Sequence, residues 1–268
     1  MQLARTIAND LAVIRERKPL IHSITNLVVM NETANAILCL GALPIMSYAV
    51  EEVEEMAEIA GALVLNIGTL TPRLVEAMAL AGKRANDLGV PVILDPVGAG
   101  ASKLRTESGK YLLDEVNVSI VRGNSAEIAV LAGLDAEVRG VESISTEKPS
   151  AEIARNFAES YGTVAAVTGA VDVVDDGNRR ARISNGHVML SRVVGTGCIS
   201  DVIAASFAAV QPDPFTAAIG GLTALGIAGE MAADAAGEKP GTFHVELYNS
   251  LYALTPEIIE ARARVELD

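Results

Sequence analysis

The feature that most constrains this chain is a repeating alternation between short apolar runs and longer amphipathic stretches. The runs occupy residues 20–24, 44–46, 62–67, 91–94, 118–121 and 164–167, and they show little alternation of polar with apolar side chains. Runs of that kind read as strands buried on both faces, as in a parallel sheet, whereas a strand with one wet face alternates. Between them lie helical patterns such as residues 50–60, with Glu51, Glu52, Glu54 and Glu55 on the polar side, and residues 72–88. Pro72 suits a first helical position, where its fixed φ is already helical and its missing N–H is not needed. The succession predicts an α/β fold with a mostly parallel sheet and helices on both faces. After Gly169 the pattern changes: 171–174, the turn Asp175-Asp176-Gly177-Asn178 and 179–184 read as a β-hairpin. From Cys198 onward the chain reads as helices. No repeat, linker or low-complexity segment interrupts it, so residues 1–268 are expected to form a single domain.

Composition narrows the function. Half of the residues are hydrophobic and 23 are glycine, which fits a compact enzyme with a large core. A net charge of −13 without a basic stripe argues against nucleic acid as a partner. The longest charge-free apolar stretch, between Asp213 and Glu230, contains Pro214, Gly220, Gly221, Gly226 and Gly229. It is expected to be a buried helix too short for a bilayer, and no membrane is expected as a partner. Asn9, Asp10 and Arg15-Glu16-Arg17-Lys18 stand where a signal peptide needs an apolar core, which predicts a cytoplasmic protein. The sequons at Asn31 and Asn117 then carry no glycan. Of the two cysteines, Cys39 falls in the apolar run Ala36-Ile37-Leu38-Cys39-Leu40 and is expected to pack in the core.

In open α/β sheets, ligands sit beyond the carboxyl ends of the strands. The residues following the runs are polar and glycine-rich: Asn66 and Gly68, Asp95 to Gly100, Arg122-Gly123-Asn124, and Thr168-Gly169. The loop Val193-Val194-Gly195-Thr196-Gly197-Cys198 then leads into a helix, whose free N–H groups and positive dipole end would receive an anion. Gly195, Thr196, Gly197 and Cys198 are therefore the expected anion hole. Cys198 at a helix start is expected to have its thiolate favoured and to act as a base. Arg122 is placed to meet a phosphate, and Asp95 to hold a hard cation such as magnesium. Asn124-Ser125-Ala126-Glu127 has the form of a helix-capping box, with Glu127 as a second carboxylate. Neither the Gly-x4-Gly-Lys-Ser/Thr phosphate loop nor the three-glycine dinucleotide fingerprint occurs.

Taken together, His22-Ser23-Ile24-Thr25-Asn26, Ala34-Asn35 to Gly41-Ala42-Leu43-Pro44-Ile45-Met46, Leu65 to Leu70, Leu94 to Gly100, Arg122-Gly123-Asn124, Val167-Thr168-Gly169, Asn185-Gly186-His187 and Gly195-Thr196-Gly197-Cys198 resemble the hydroxyethylthiazole kinase family. The resemblance spans about residues 20–235. It implies a ribokinase-like three-layer fold and phosphorylation of 4-methyl-5-(2-hydroxyethyl)thiazole with ATP and Mg2+, a step of thiamine biosynthesis and salvage. It also implies a homotrimer with active sites between subunits. Carried over residue by residue, it puts Met46 and Gly195 at thiazole contacts, Arg122 and Thr168 at ATP contacts, and Cys198 where ribokinase relatives place an aspartate base. Asp95 and Glu127 fall in the magnesium and phosphate network. Val194 and Ser200-Asp201 depart from the family pattern, and the Asp201 charge would oppose a Cys198 thiolate. A lyase or repair enzyme on the same fold, and a non-catalytic nucleotide-binding regulator, remain alternatives.

Overall fold

In the computed structural model, which describes residues 2–134, 137–139, 142–145 and 149–268, the apolar runs become strands of one nine-stranded sheet. The chain begins with α1 (Gln2–Arg17), β1 (Leu20–Ile24), α2 (Met30–Leu40), β2 (Leu43–Ile45), α3 (Val53–Ile59), β3 (Ala62–Asn66) and α4 (Pro72–Leu88). It continues through β4 (Val92–Asp95), α5 (Lys103–Glu115), β5 (Ile120–Asn124) and α6 (Ser125–Leu131). A small antiparallel pair, β6 (Glu137–Arg139) and β7 (Glu142–Ser145), precedes α7 (Ser150–Tyr161), β8 (Val164–Thr168), β9 (Asp172–Asp175) and β10 (Arg180–Ile183). A 3-10 turn (Val188–Arg192) leads to α8 (Thr196–Ala208), α9 (Pro214–Ala236), α10 (Pro240–Ala253), α11 (Pro256–Arg262) and β11 (Val265–Leu267).

The strand order is β11-β10-β9-β8-β5-β4-β3-β1-β2. Pairing is parallel from β2 to β8 and antiparallel from β8 to β11. Both faces are covered, which explains the continuous apolar runs. Ile21, Val64, Ile93, Ile120 and Val174 pack under α1, α2 and α8 to α11, while Ile24, Leu63, Leu65, Leu94 and Val121 pack under α3 to α7. Each such aliphatic side chain contributes roughly 1.5–3 kcal/mol on burial, and the result is the expected three-layer fold.

Several boundaries differ from the sequence expectation. The strand at 44–46 is β2, 43–45, so Met46 lies just past it. The helix at 50–60 contracts to α3. β5 runs on to Asn124 because its pairing with β8 continues from Arg122↔Ala166 to Asn124↔Thr168; Arg122 is inside the strand, not after it. The acidic turn is hairpin chemistry: Gly177 N–H donates to Asp175 Oδ1 at 2.8 Å, and Asn178 N–H donates to Asp176 Oδ1 at 2.9 Å. The edge strand β11 has no counterpart in the sequence reading. Cys39 packs half-buried against the core, as expected.

The largest correction concerns α9. At 23 residues it is long and apolar enough to cross a membrane by length and composition, yet 83 % of its apolar window is buried inside the protein. Its glycines do not interrupt it, because they admit neighbours. A Cβ on Gly221 would come within 2.5 Å of Ala204 Cα, and one on Gly220 within 2.7 Å of the Phe207 ring. The lost helix propensity, about 1 kcal/mol per glycine, is offset by this close approach of α9 to α8.

Candidate active site

The carboxyl ends of β3, β4, β5 and β8 deliver Asn66, Asp95, Arg122 and Thr168 to one edge of the sheet, and the start of α8 is aimed at them. Gly195 precedes the helix with φ +90°, and a Cβ there would meet Val29 Cγ1 at 2.7 Å, so the turn needs glycine twice over. Among the described residues no side chain caps α8, so the N–H groups of its first turn have no side-chain acceptor. Gly197 lies directly over Arg122: a Cβ would stand 3.0 Å from both terminal guanidinium nitrogens. A fixed cation therefore underlies the positive end of the helix.

Arg122 is nearly buried. Its Nη1 lies 3.8 Å from Asp95 Oδ1 and its Nε 3.8 Å from Asp201 Oδ1, while Nη2 donates to Thr168 Oγ1 at 2.9 Å. Cys198 Sγ accepts from Asn66 Nδ2 at 3.1 Å and from Asn26 Nδ2 at 3.6 Å. Asn26 also donates to Asn66 Oδ1 at 2.8 Å, and Asn66 to Asp95 Oδ2. Asp95, Cys198 and Asp201 each offer a ligand atom within 4.8 Å of the others. Asp95 and Asp201 have no solvent exposure, and among the described residues Asp95 Oδ1, both Asp201 oxygens and Arg122 Nε lack a hydrogen-bond partner. Glu127 closes the expected capping box: its oxygens accept from Asn124 N–H at 2.9 Å and Gly98 N–H at 2.7 Å. Arg105 ties the neighbouring loops together by donating to the carbonyls of Ile67, Val97 and Gly68.

The electrostatics follow from burial. Burial opposes the charge on Arg122, but Asp201, Asp95 and Glu127 outweigh it and hold the guanidinium firmly protonated. Burial and then Asp95 push the Glu127 carboxyl up to about 7 and Asp201 well above the carboxylate range. Burial, followed by Asp95 and Asp201, also raises the Cys198 thiol, with Arg122 and the Asn66 hydrogen bond acting the other way. The resting form is thus a thiol. Burial, and after it the neighbouring acids, work against the expected thiolate, while the helix dipole favours it. At the rim, burial raises Asp172 to about 6.

A cleft of about 520 Å³ runs from Arg122 and Thr168 past Asp172 and the 185–191 segment to Thr196, Gly197 and the apolar Leu222 and Leu225. A second cavity of about 320 Å³ lies beside Thr25, Leu27, Met30, Tyr48 and Thr69. Arg122, Thr168, Asp95, Glu127 and Cys198 converge, as do the residues of the glycine loop. Met46 and Gly195 line neither cavity, and Met46 packs half-buried against the core. Sequence reasoning gave no role to the Asn26–Asn66 pair. Both residues stand just past or at the end of a strand, which was the available signal.

A mostly parallel sheet whose strand ends face an uncapped, glycine-started helix over Arg122 is the arrangement of the ribokinase-like fold. Pyridoxal kinase from Staphylococcus aureus in complex with pyridoxal has this fold, with a TM-score of 0.63 at 13% identity over 93% of this chain and 98% of that one. Residues 11–257 match the hydroxyethylthiazole kinase family. The hydroxyethylthiazole kinase of Thermoanaerobacter pseudethanolicus is 53% identical over 259 residues, covering 96% of this chain and 98% of that protein. The relative of the same name from Methanocella arvoryzae is 48% identical, covering 98% of each. The structure of hydroxyethylthiazole kinase protein from Pyrococcus horikoshii OT3 superposes with a TM-score of 0.90 at 42% identity, covering 98% and 99% of the two chains. The chain belongs to the hydroxyethylthiazole kinase family and is a phosphotransferase.

Proposed function

We propose that this protein, acting as one kinase domain, transfers the γ-phosphoryl group of ATP to the hydroxyl of 4-methyl-5-(2-hydroxyethyl)thiazole, in thiamine biosynthesis and salvage. The observation that carries the reading is the uncapped start of α8 seated on Arg122, with Cys198 at its first turn. The hydroxyl oxygen bonds to phosphorus, the bond from phosphorus to the bridging oxygen breaks, and ADP leaves with the electron pair. Arg122 and Thr168 hold the phosphates, and the N–H groups of the Gly195–Cys198 loop receive charge that develops on the transferred group. The fraction of Cys198 that has given up its own proton, a thiolate favoured by the two amide donors on its sulfur, takes the hydroxyl proton and returns to the thiol. A loose transition state asks little of the base, so positioning and charge neutralisation supply most of the acceleration.

The donor set fits magnesium through its oxygens. Asp95 keeps one carboxylate oxygen unpartnered, 3.8 Å from the Arg122 that lines the cleft, whereas the Cys198 sulfur is a poor ligand for so hard an ion. Asp95 would hold the cation, with Glu127 behind it bracing the 98–127 contact. When bound, the ion neutralises phosphate charge. The thiazole side is read at Met46 and Gly195, completed by a neighbouring subunit of a homotrimer. The exposed apolar Leu27, Val28, Tyr48 and Val194 beside the site support that assembly. A cytoplasmic location fits a cofactor-salvage step of this kind. Incubation with Mg2+, ATP and the thiazole alcohol, followed by mass analysis, tests the reading: the phosphate ester and an equal amount of ADP are expected. Folded protein that yields neither refutes it.

A further inference from the structure

The Asn185-Gly186-His187 segment has no part in the chemistry above, yet it forms one wall of the cleft opposite Arg122 and Thr168. It is gripped from behind by a carboxylate on the long apolar helix α9. Glu230, on α9, is almost completely buried, and a charge there is costly unless its lone pairs are filled. They are filled. Oε1 accepts from Gly186 N–H at 2.9 Å, Asn185 Nδ2 at 3.1 Å and Arg264 Nη2 at 2.6 Å, and Oε2 accepts from Arg262 Nη2 at 3.3 Å.

An arginine latch for the C-terminal segment would need only the two ion pairs. The Glu230 carboxylate also takes the backbone N–H of the cleft turn and the side chain beside it. Asn185 is held on its other side as well: Oδ1 accepts from Arg264 N–H at 2.7 Å and Nδ2 donates to the Arg262 carbonyl at 2.9 Å. The turn has no freedom to settle elsewhere. Gly186 adopts φ +137°, and Gly226 presses against Asn185 so closely that a Cβ would stand 2.7 Å from the Asn185 Cβ.

We infer that Glu230 is a positioning residue for the nucleotide: it fixes the Asn185-Gly186 wall of the cleft before ATP arrives, so that binding does not have to order it. The inference rests on the reading that the cleft around Arg122 and Thr168 takes the nucleotide.

The test is calorimetric titration of the full chain with Mg2+ and a non-hydrolysable ATP analogue, AMP-PNP, alongside titration with the thiazole alcohol and thermal melts. Glu230→Ala is expected to weaken AMP-PNP about tenfold, as loss of a charged acceptor for two cleft donors implies, with alcohol binding unchanged. Glu230→Gln, which keeps an oxygen for Gly186 N–H, is expected to recover most of the affinity while melting lower. Arg264→Ala is expected to lower the melting temperature comparably and to leave AMP-PNP affinity near wild type. Wild-type AMP-PNP affinity in Glu230→Ala overturns the inference, as does an equal loss in Glu230→Ala and Arg264→Ala that tracks their melting. Arg122→Ala reports on the cleft itself. If that variant binds AMP-PNP like the wild type, the nucleotide lies elsewhere and the positioning role falls with it.

Discussion

Two clusters of buried charge sit within this fold, and they are built on opposite terms. Around Glu230, the carboxylate oxygens are met by Asn185, Gly186, Arg262 and Arg264. Around Arg122, the two acids approach the guanidinium only to 3.8 Å, and among the described residues Asp95 Oδ1, both Asp201 oxygens and Arg122 Nε have no hydrogen-bond partner. The first cluster is complete and holds architecture in place. The second is incomplete, and its unfilled atoms lie beside the start of a helix whose first-turn N–H groups have no side-chain acceptor. Buried polar atoms without partners reduce stability, and their concentration at the strand ends marks where a ligand completes the structure.

The sharpest way to break this contrast is at Asp95. Asp95→Asn is expected to lower turnover by about 10²–10³-fold, because one charge that balances Arg122 and offers a cation ligand is lost. Steady-state kinetics at saturating substrates check it, and near-wild-type turnover would place Asp95 outside the chemistry. Next comes Cys198. With the Cys198 thiolate as base, Cys198→Ser is expected to cost about 10²-fold in turnover, since a hydroxyl is a poor base, whereas Cys198→Asp keeps or raises it. A serine variant with unchanged melting and unchanged turnover leaves the loop amides as the catalytic element.

The third prediction reverses the usual sign. Asp201→Asn is expected to raise the stability of the protein at neutral pH, because burial and Asp95 hold its carboxyl well above the carboxylate range and an amide of the same shape has no proton to lose. Glu230→Gln, made in the complete cluster, is expected to destabilise; chemical denaturation of the two variants side by side decides whether the clusters truly differ. The smallest effect is at Asp172. Burial raises its carboxyl from 3.8 to about 6, so the folded state binds the proton more tightly than the unfolded state. Its contribution to stability is greatest below about pH 4 and is lost as pH rises through about 6. Asp172→Asn should therefore gain on the wild type, by on the order of 1 kcal/mol, between pH 4 and 6 and hold that gain above. A difference that does not vary with pH would remove Asp172 from the titrating groups.

What the sequence made legible was local. The apolar runs pointed to the strands, Asn124 and Glu127 to the capping box, and Gly195-Thr196-Gly197-Cys198 to an uncapped helix start, because each depends on neighbours within a turn or two. Arg122 could be placed at the strand edge but not inside β5, since the extension to Asn124 depends on pairing with β8. The burial that raises the Cys198 thiol was out of reach for the same kind of reason: the dipole belongs to its own helix, whereas the depth of the site and Asp95 arrive with other strands. Asp201 was visible one turn along the helix, and its opposition to a thiolate was legible. Its approach to Arg122 needed the folded sheet. The Glu230 cluster joins residues 185, 186, 230, 262 and 264, and no spacing rule connects them.

The central claim is that the incomplete cluster is where the nucleotide phosphates bind. Separate titrations of Arg122→Ala with Mg2+ and AMP-PNP and with the thiazole alcohol test it most directly. The account predicts a large loss of nucleotide affinity with the alcohol affinity little changed, because a guanidinium pairs with phosphate oxygens and not with a neutral ring. Wild-type nucleotide affinity in a folded Arg122→Ala variant would contradict it.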